Sequence, residues 1–297
     1  MTMNEPDWDL YRSFLHVFRE GSLSGAARVL GTSQPTVGRH IDTLEASLDK
    51  KLFIRTLEGL IPTEAARQLA VSVEAMASLS KAALRTLSAT ASEETGTVRI
   101  TASEIIGVEV LPPILCALQT DHPSIAIELA LSNRNEDLLH GAADIAVRME
   151  RPRQSSLVAK KLGAVRLGLF AHRDYLKRHG TPKTVADLSD HALIGFDRNR
   201  EFLQVLHDWG LNLAIEDFSF RTDSDHAQAA ALRAGLGIGV SQLGIAKRHP
   251  QLRQVLGESL VFSLEMWLAV HRDLRSNKRI KIVYDRLARE LRAYADA

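Results

Sequence analysis

The sequence predicts two unlike parts: a small mainly-α unit closed by a β-hairpin, then one long helix leading into an α/β region of two lobes. Three observations predict this. Residues 22–63 read as two short helices meeting at a tight turn and followed by a hairpin, residues 63–91 contain no Gly or Pro, and beyond Gly96 strand-like and helix-like runs alternate. At 297 residues the chain exceeds the ~100 to 200 residues of one ordinary domain, so each part has enough chain for its own core. Hydrophobic residues make up 45%, charged residues 25%, and the formal net charge is +1, which excludes a disordered chain and one that coats polyanions.

The first helix of the pair is predicted to start at Ser24 as N-cap, to carry Ala26, Ala27 and Leu30 on its packing side, and to stop at Gly31. The second opens at Ser33 with Pro35 in its first turn, where a missing N–H costs nothing. Its apolar stripe is Val37, Ile41, Leu44 and Leu48. Burying that stripe leaves Gln34, Thr36, Arg39 and His40 near the helix start, the end that enters the major groove when two helices are arranged this way. Gln suits adenine, and Arg suits guanine or phosphate. An upstream helix, about Asp9 to Glu20, brings Leu10, Phe14, Val17 and Phe18 to close a three-helix core. Lys51 to Thr63 reads as strand, turn at Glu58-Gly59 and strand, anchored by Leu52, Phe53 and Leu60, with Arg55 placed for phosphate. Together these describe a winged helix-turn-helix, residues 1–63, with duplex DNA as its partner.

Charge supports this less than pattern does. Residues 1–63 hold seven Lys or Arg against eight Asp or Glu, yet residues 21–41 hold Arg28, Arg39 and His40 and no acid. The face toward DNA can therefore be positive while the acids point away, and binding is expected to be sensitive to salt.

Ala26-Ala27-Arg28-Val29-Leu30, Ser33-Gln34-Pro35, Leu52-Phe53-Ile54-Arg55-Thr56 and Pro62-Thr63 at these spacings resemble the N-terminal domain of the LysR-type transcriptional regulators. Four positions depart from that family's habit: Gly38 for Ser, Asp49 for Gly, and Glu58 and Ile61 where wing residues are often basic. A weaker phosphate grip by the wing is expected.

From Thr63, an N-cap, to about Ala91, Leu69, Val73, Met76, Ser80, Ala83 and Leu87 recur at steps of four and three. A helix of residues 64–91 would be ~40 Å long at ~1.5 Å per residue, more than a small winged unit can cover, so the seam asks for a second copy of the chain. Leu69, Val73, Met76, Ala83 and Leu87 are its dimerisation candidates. The alternative is an amphipathic helix lying on its own C-terminal region. The resemblance implies a dimerising linker helix, and tetramers built from two dimers. Residues 92–96 read as a hinge.

Beyond it, strands are expected at Thr97–Ala102, Ile125–Leu131, Asp144–Arg148, Arg166–Ala171, Ala192–Phe196, Phe218–Thr222 and Ile238–Ser241. Helices are expected at Gly107–Thr120, Ser224–Ala234, Gln242–His249 and Asn277 to about Tyr294. Such alternation implies βαβ units and mostly parallel sheets. Leu111-Pro112-Pro113, Asp144 to Arg148, Ser155-Ser156-Leu157, the HRDYL of 172–176, Asp187-Leu188 with His191, and Ala234 to Ile238 extend the resemblance over this region. It implies an effector domain similar to periplasmic binding proteins, with residues 97–162 and 265–297 as one lobe and 163–264 as the other.

Ligand groups in such a cleft gather at the carboxyl ends of strands, which selects Ser103, Ser132, Asn133, Arg148, Phe196, Asp197 and Thr222. Capping or turn chemistry is the plainer role for any one of them. Glu104 beside Ser103 argues against a carboxylate effector. Gly235, Gly237 and Gly239 stand in the order helix, glycines, strand, the reverse of a dinucleotide loop. Asp223, Asp225 and His226 lack the partners of a metal site or catalytic triad, and none of the eleven histidines lies four residues from another. No enzyme chemistry, metal or cofactor is implied. The basic tail, Arg272 to Arg292, reads as a solvated helix face, and Cys116, among apolar neighbours, as a buried thiol. The polar N-terminus and the lack of an ~18-residue apolar run predict a cytoplasmic protein with no membrane partner. Expected partners are double-stranded promoter DNA, a small-molecule effector, RNA polymerase, and further copies as homodimer or homotetramer. A transport solute-binding protein and a small-molecule enzyme using the cleft are the alternatives.

Overall fold

The computed structural model describes residues 5–56, 59–87, 94–133, 143–152, 157–257, 260–275 and 277–296, without the side chains of 78, 81–87, 201 and 273. These residues fall into two compact units, one up to Leu87 and one from Glu94 onward.

In the first unit, α1 (Trp8–Glu20), α2 (Leu23–Leu30) and α3 (Gln34–Leu48) precede a hairpin of β1 (Phe53–Thr56) and β2 (Gly59–Pro62), and α4 (Glu64–Leu87) follows. Phe14, Leu44 and Leu52 are fully buried, Val37 and Ile41 join them, and the rings of Phe14 and Phe53 lie 5.7 Å apart. Burying a side chain of this size contributes about 1.5–3 kcal/mol, so α3 is held by its stripe and not by helix propensity. The cap of α2 differs from expectation. Ser22, not Ser24, is the N-cap, its side chain accepting from the Gly25 N–H, while Ser24 Oγ donates to Gln34 Oε1 at 3.1 Å. Gly31 stops α2 in the left-handed region, φ 65°, as expected. Asp49, where the family often has Gly, is the left-handed cap of α3 at φ 50°. Gly59 opens β2 opposite Thr56; of the turn expected at Glu58-Gly59, Glu58 lies outside the described residues.

Thr63 caps α4 by accepting from the Ala66 N–H. Ala66, Ala70 and Val73 on α4 are buried in the same core as α1 to α3, with Leu69 and Ala77 packed against it. The upper part of the helix thus covers its own winged unit, which corrects the expectation that Val73 lies in an intermolecular seam. Met76, in contrast, is 37% exposed. Ala83 and Leu87 lie in the helix, but their side chains fall outside the described residues.

The second unit runs β3 (Gly96–Ala102), α5 (Glu104–Glu109), α6 (Leu111–Asp121), β4 (Ile125–Leu131), β5 (Ile145–Arg148), β6 (Leu157–His172), α7 (Arg173–His179), β7 (Leu193–Gly195), α8 (Arg200–Asp208) and β8 (Phe218–Arg221). It continues with α9 (Asp225–Ala234), β9 (Ile238–Gln242), α10 (Leu243–Ala246), β10 (Leu252–Val255), β11 (Val261–His271) and α11 (Lys278–Ala295). One sheet of order β4-β3-β5-β11-β6-β9-β7-β8, with β10 on β6, links all the strands. Two parallel trios, β4-β3-β5 and β9-β7-β8, are joined through β6 and β11, which pair antiparallel over their length. Mostly parallel sheets were therefore too simple an expectation. The strand β11 lies outside the expected elements, although Phe262, Leu264, Met266, Leu268 and Val270 alternate along it, and β6 begins at Leu157, well before Arg166, a start that Lys160, Lys161 and Gly163 hide by interrupting its apolar run.

Each half has its own core. Val98, Ile100, Ile145, Met266 and Leu287 belong to one, and Leu169, Leu188, Leu193, Phe218 and Phe262 to the other. Along β6 the core side chains change allegiance between Val165 and Leu167. The helix expected at 107–120 is instead two, broken at Val110 ahead of Pro112 and Pro113 in the first turn of α6. A proline ring clashes with the preceding turn of a continuous helix, whereas a helix start accepts it. Cys116 is exposed on α6, contrary to the expected burial. On α11, Ile280, Val283, Leu287, Leu291 and Ala295 are buried, with Tyr284 and Tyr294 partly buried against the same core. No described helix is long and apolar enough to cross a membrane.

Candidate DNA-binding surface and inter-lobe cleft

The start of α3 is the exposed end of the winged unit. Ser33, a cap made by its own side chain on the Thr36 N–H, Gln34, Pro35 and Arg39 are all exposed, and Thr36 is half-buried with its hydroxyl 2.8 Å from Ser33 Oγ. Gln34, Pro35, Gly38 and Arg39 of α3 line one wall of a groove whose other wall includes Arg55 of β1, with Leu23 and Asp42 completing it. Helix and wing therefore present a shared surface. Asp42, one residue past the acid-free stretch 21–41, is an acid inside that surface and lowers the positive charge expected there. His40 differs from the others. Its Nδ1 shares a 2.7 Å hydrogen bond with the buried Ser13 hydroxyl of α1, so one ring nitrogen serves the fold and not a base edge.

Sequence reasoning missed Glu45. It is buried on α3, its Oε1 accepting from the N–H groups of Leu52 (2.8 Å) and Phe53 (3.2 Å) and its Oε2 pairing with Lys51 Nζ at 2.5 Å. Burial pushes its carboxyl up, but the Lys51 ammonium and the two backbone donors outweigh that and hold it below the usual range. A signal existed: Glu45 stands four residues after Ile41 and one after Leu44, inside the stripe that must be buried.

In the second unit all seven cleft candidates fall at carboxyl ends of parallel strands, but in two groups. Ser103, Ser132 and Asn133 follow β3 and β4, and Arg148 ends β5. Phe196, Asp197 and Thr222 follow β7 and β8 in the other lobe. The guanidinium of Arg148 is buried and donates to Thr101 Oγ1 at 2.9 Å and to the Val147 carbonyl, so its first role is structural. Phe196 packs edge-on against Phe202, 4.6 Å between centroids, and the exposed Asp197 gives its N–H to Asp223 Oδ1. Thr222 Oγ1 accepts from the Ser224 N–H. Ser103 Oγ is buried without a protein partner, as is His226 Nε2.

Asn133 reaches across. Its Oδ1 accepts from the Glu104 N–H at the start of α5, and its Nδ2 donates to Asp225 Oδ2 at the start of α9, both 3.0 Å. At the other ends of the same two helices, Arg233 of α9 pairs with Glu109 of α5. Neither Asp225, Glu109 nor Arg233 was singled out as a cleft residue from the sequence, because their partners lie over ninety residues away. Among the described residues no group of His, Cys, Asp and Glu is arranged to hold a metal ion.

A winged helix-turn-helix on the same chain as two α/β lobes defines a helix-turn-helix regulator with a ligand-binding region. Residues 8–67 match the family described as "Bacterial regulatory helix-turn-helix protein, lysR family", and residues 91–292 match the "LysR substrate binding domain". The chain belongs to the LysR family of transcriptional regulators. It is 30% identical over 199 residues, 67% of this chain and 58% of the relative, to an "HTH-type transcriptional regulator" of Xanthomonas campestris pv. campestris, and so spans less than two thirds of that relative's length. Its fold is similar to that of full-length AphB, the Vibrio cholerae virulence activator, at TM-score 0.62 and 23% identity over 95% of this chain and 98% of that one. It is also similar to CbnR crystallised with its target DNA, at TM-score 0.64 and 19% identity over 96% of this chain and 99% of that one.

Proposed function

We propose that this chain is a sequence-specific DNA-binding transcription regulator, controlled by a small-molecule effector held between lobes of residues 97–162 with 265–297 and residues 163–264. The observation that carries the reading is the groove shared by Gln34, Pro35 and Arg39 of α3 with Arg55 of the wing. Exposed hydrogen-bonding side chains on a helix start, flanked by a strand cation, suit a major-groove helix with a phosphate contact beside it. Ser33 and Thr36 complete the helix start, and His40 contributes through its other ring nitrogen.

The chain acts as a homodimer or homotetramer paired through α4, with Met76, Ala83 and Leu87 in the seam and Leu69 at its margin. Half-site recognition needs two such heads. An effector shifts the lobes only by binding one arrangement better than another. Promoter DNA is its macromolecular partner, RNA polymerase a further one on the promoter, and the cytoplasm its compartment.

The test is selection of duplexes from a random-sequence library with the full chain, followed by affinity measured against salt. An enriched half-site motif is expected, with Arg39→Ala lowering both affinity and salt slope, the latter by ~1 if Arg39 touches phosphate. No enriched motif would sink the reading. A thermal-shift screen of metabolites on the same protein tests the effector, since a ligand bound only by the folded state raises the melting temperature.

A further inference from the structure

The bonds made by Glu45 run from α3 to the first residues of the wing. Its Oε1 takes the N–H groups of Leu52 and Phe53, the residues that lead into β1, and its Oε2 takes Lys51. Arg55 lies two residues beyond Phe53, ~7 Å along an extended strand. It borders the same groove as Arg39 on α3. The carboxylate therefore ties the strand that carries one groove cation to the helix that carries the other. Glu45 is buried, at 7% exposure, so its two bonds to the Leu52 and Phe53 N–H groups are shielded from water, while the Lys51 end of the tie is exposed.

We propose that Glu45 is a positioning residue for DNA recognition: it fixes the wing against α3 and so sets where Arg55 stands relative to Arg39. The inference rests on the DNA-binding reading above. Two contacts carried by one rigid body engage the duplex together, because the second has no ordering cost left to meet. When the wing is free to swing, Arg55 must be ordered at the moment of binding and its contribution shrinks. A side chain that only stabilised the core would leave the Arg55 contribution unchanged in every variant that folds.

That difference is measurable as a double-mutant cycle in the full chain, with Arg55→Ala made in the wild type and in Glu45→Gln, on a duplex selected by the wild-type protein. Glutamine keeps the shape but sets an amide NH2 against the Lys51 ammonium. Glu45→Asp, which keeps the charge and shortens the reach, is the second variant if Glu45→Gln does not fold by circular dichroism. In the wild type, Arg55→Ala is expected to weaken binding roughly fivefold or more and to lower the salt slope by ~1. In the folded Glu45 variant the same substitution should cost less than about twofold and leave the slope in place. An equal penalty for Arg55→Ala in both backgrounds overturns the assignment. If the wild type selects no duplex, the DNA reading itself fails and this inference falls with it.

Discussion

Arg233 and Glu109 form an ion pair, 2.8 Å from Nη1 to Oε1, between helices that belong to opposite lobes. The side chains are 31% and 18% exposed, so solvent screens the pair only in part. Arg248 adds a bond to the Glu109 carbonyl. With Asn133 and Asp225 at the opposite ends of the same helices, α5 and α9 are pinned at two points. In thermal or urea unfolding, a cycle of Glu109→Gln and Arg233→Gln should give a coupling of about 0.5–1 kcal/mol, lessened by salt. Strict additivity of the two substitutions would show that the pair does not hold the lobes.

Asp225 predicts a pH effect. Burial pushes its carboxyl above the ordinary value near 3.8; the Asn133 hydrogen bond opposes this, the Glu104 charge adds to it and His226 opposes it. A carboxyl whose folded-state pKa is raised binds a proton more readily in the folded chain than in the unfolded one. Its contribution to stability therefore falls as pH rises from 3.8 through the raised value. Asp225→Asn keeps an oxygen for Asn133 and removes the half-buried charge. The variant should melt higher than wild type at pH 7, with the gain fading as pH falls toward 4; a pH-independent difference would refute this.

The cap of α2 gives a sharper contrast. Ser22→Ala removes the acceptor of the Gly25 N–H and should cost about 1 kcal/mol, whereas Ser24→Ala should change stability by less than about 0.5 kcal/mol. Equal losses at the two sites, measured by chemical unfolding, would contradict this cap.

Val73 and Met76 separate folding from assembly. Val73 is fully buried in its own winged unit, so Val73→Ala should destabilise that unit by about 1–3 kcal/mol and leave the mass in solution unaltered. Met76→Glu places a charge on an exposed face and should lower the mass without lowering the melting temperature of the winged unit. Light scattering distinguishes them, and an assembly indifferent to Met76→Glu would remove that residue from the seam.

Much of this was legible in local pattern. Ser33, Pro35, Gly31 and the stripe Val37, Ile41, Leu44 declared α3 because caps and 3.6-residue periodicity act over a few residues. The strand at Ile125–Leu131 and the final helix were legible for the same reason. Ser22 was missed because two serines two apart offer equal local caps; with Ser22 as the cap, Ala26 and Ala27 lie in the core. Val73 was misplaced because a seam spaced at four and three fits a helix's own domain as well as a partner copy.

The sequence by itself determined the family, the helix-turn-helix, and the strand ends at which the cleft candidates fall. Only the tertiary structure decided that Glu45 ties α3 to the wing, that His40 turns a nitrogen to Ser13, and that Asn133 and Arg233 reach across the lobes. The physical reason is range. Caps and periodicity are set by neighbours within a turn or two, whereas a side-chain hydrogen bond needs a partner whose place in space is fixed only once the sheet and the helices around it have packed.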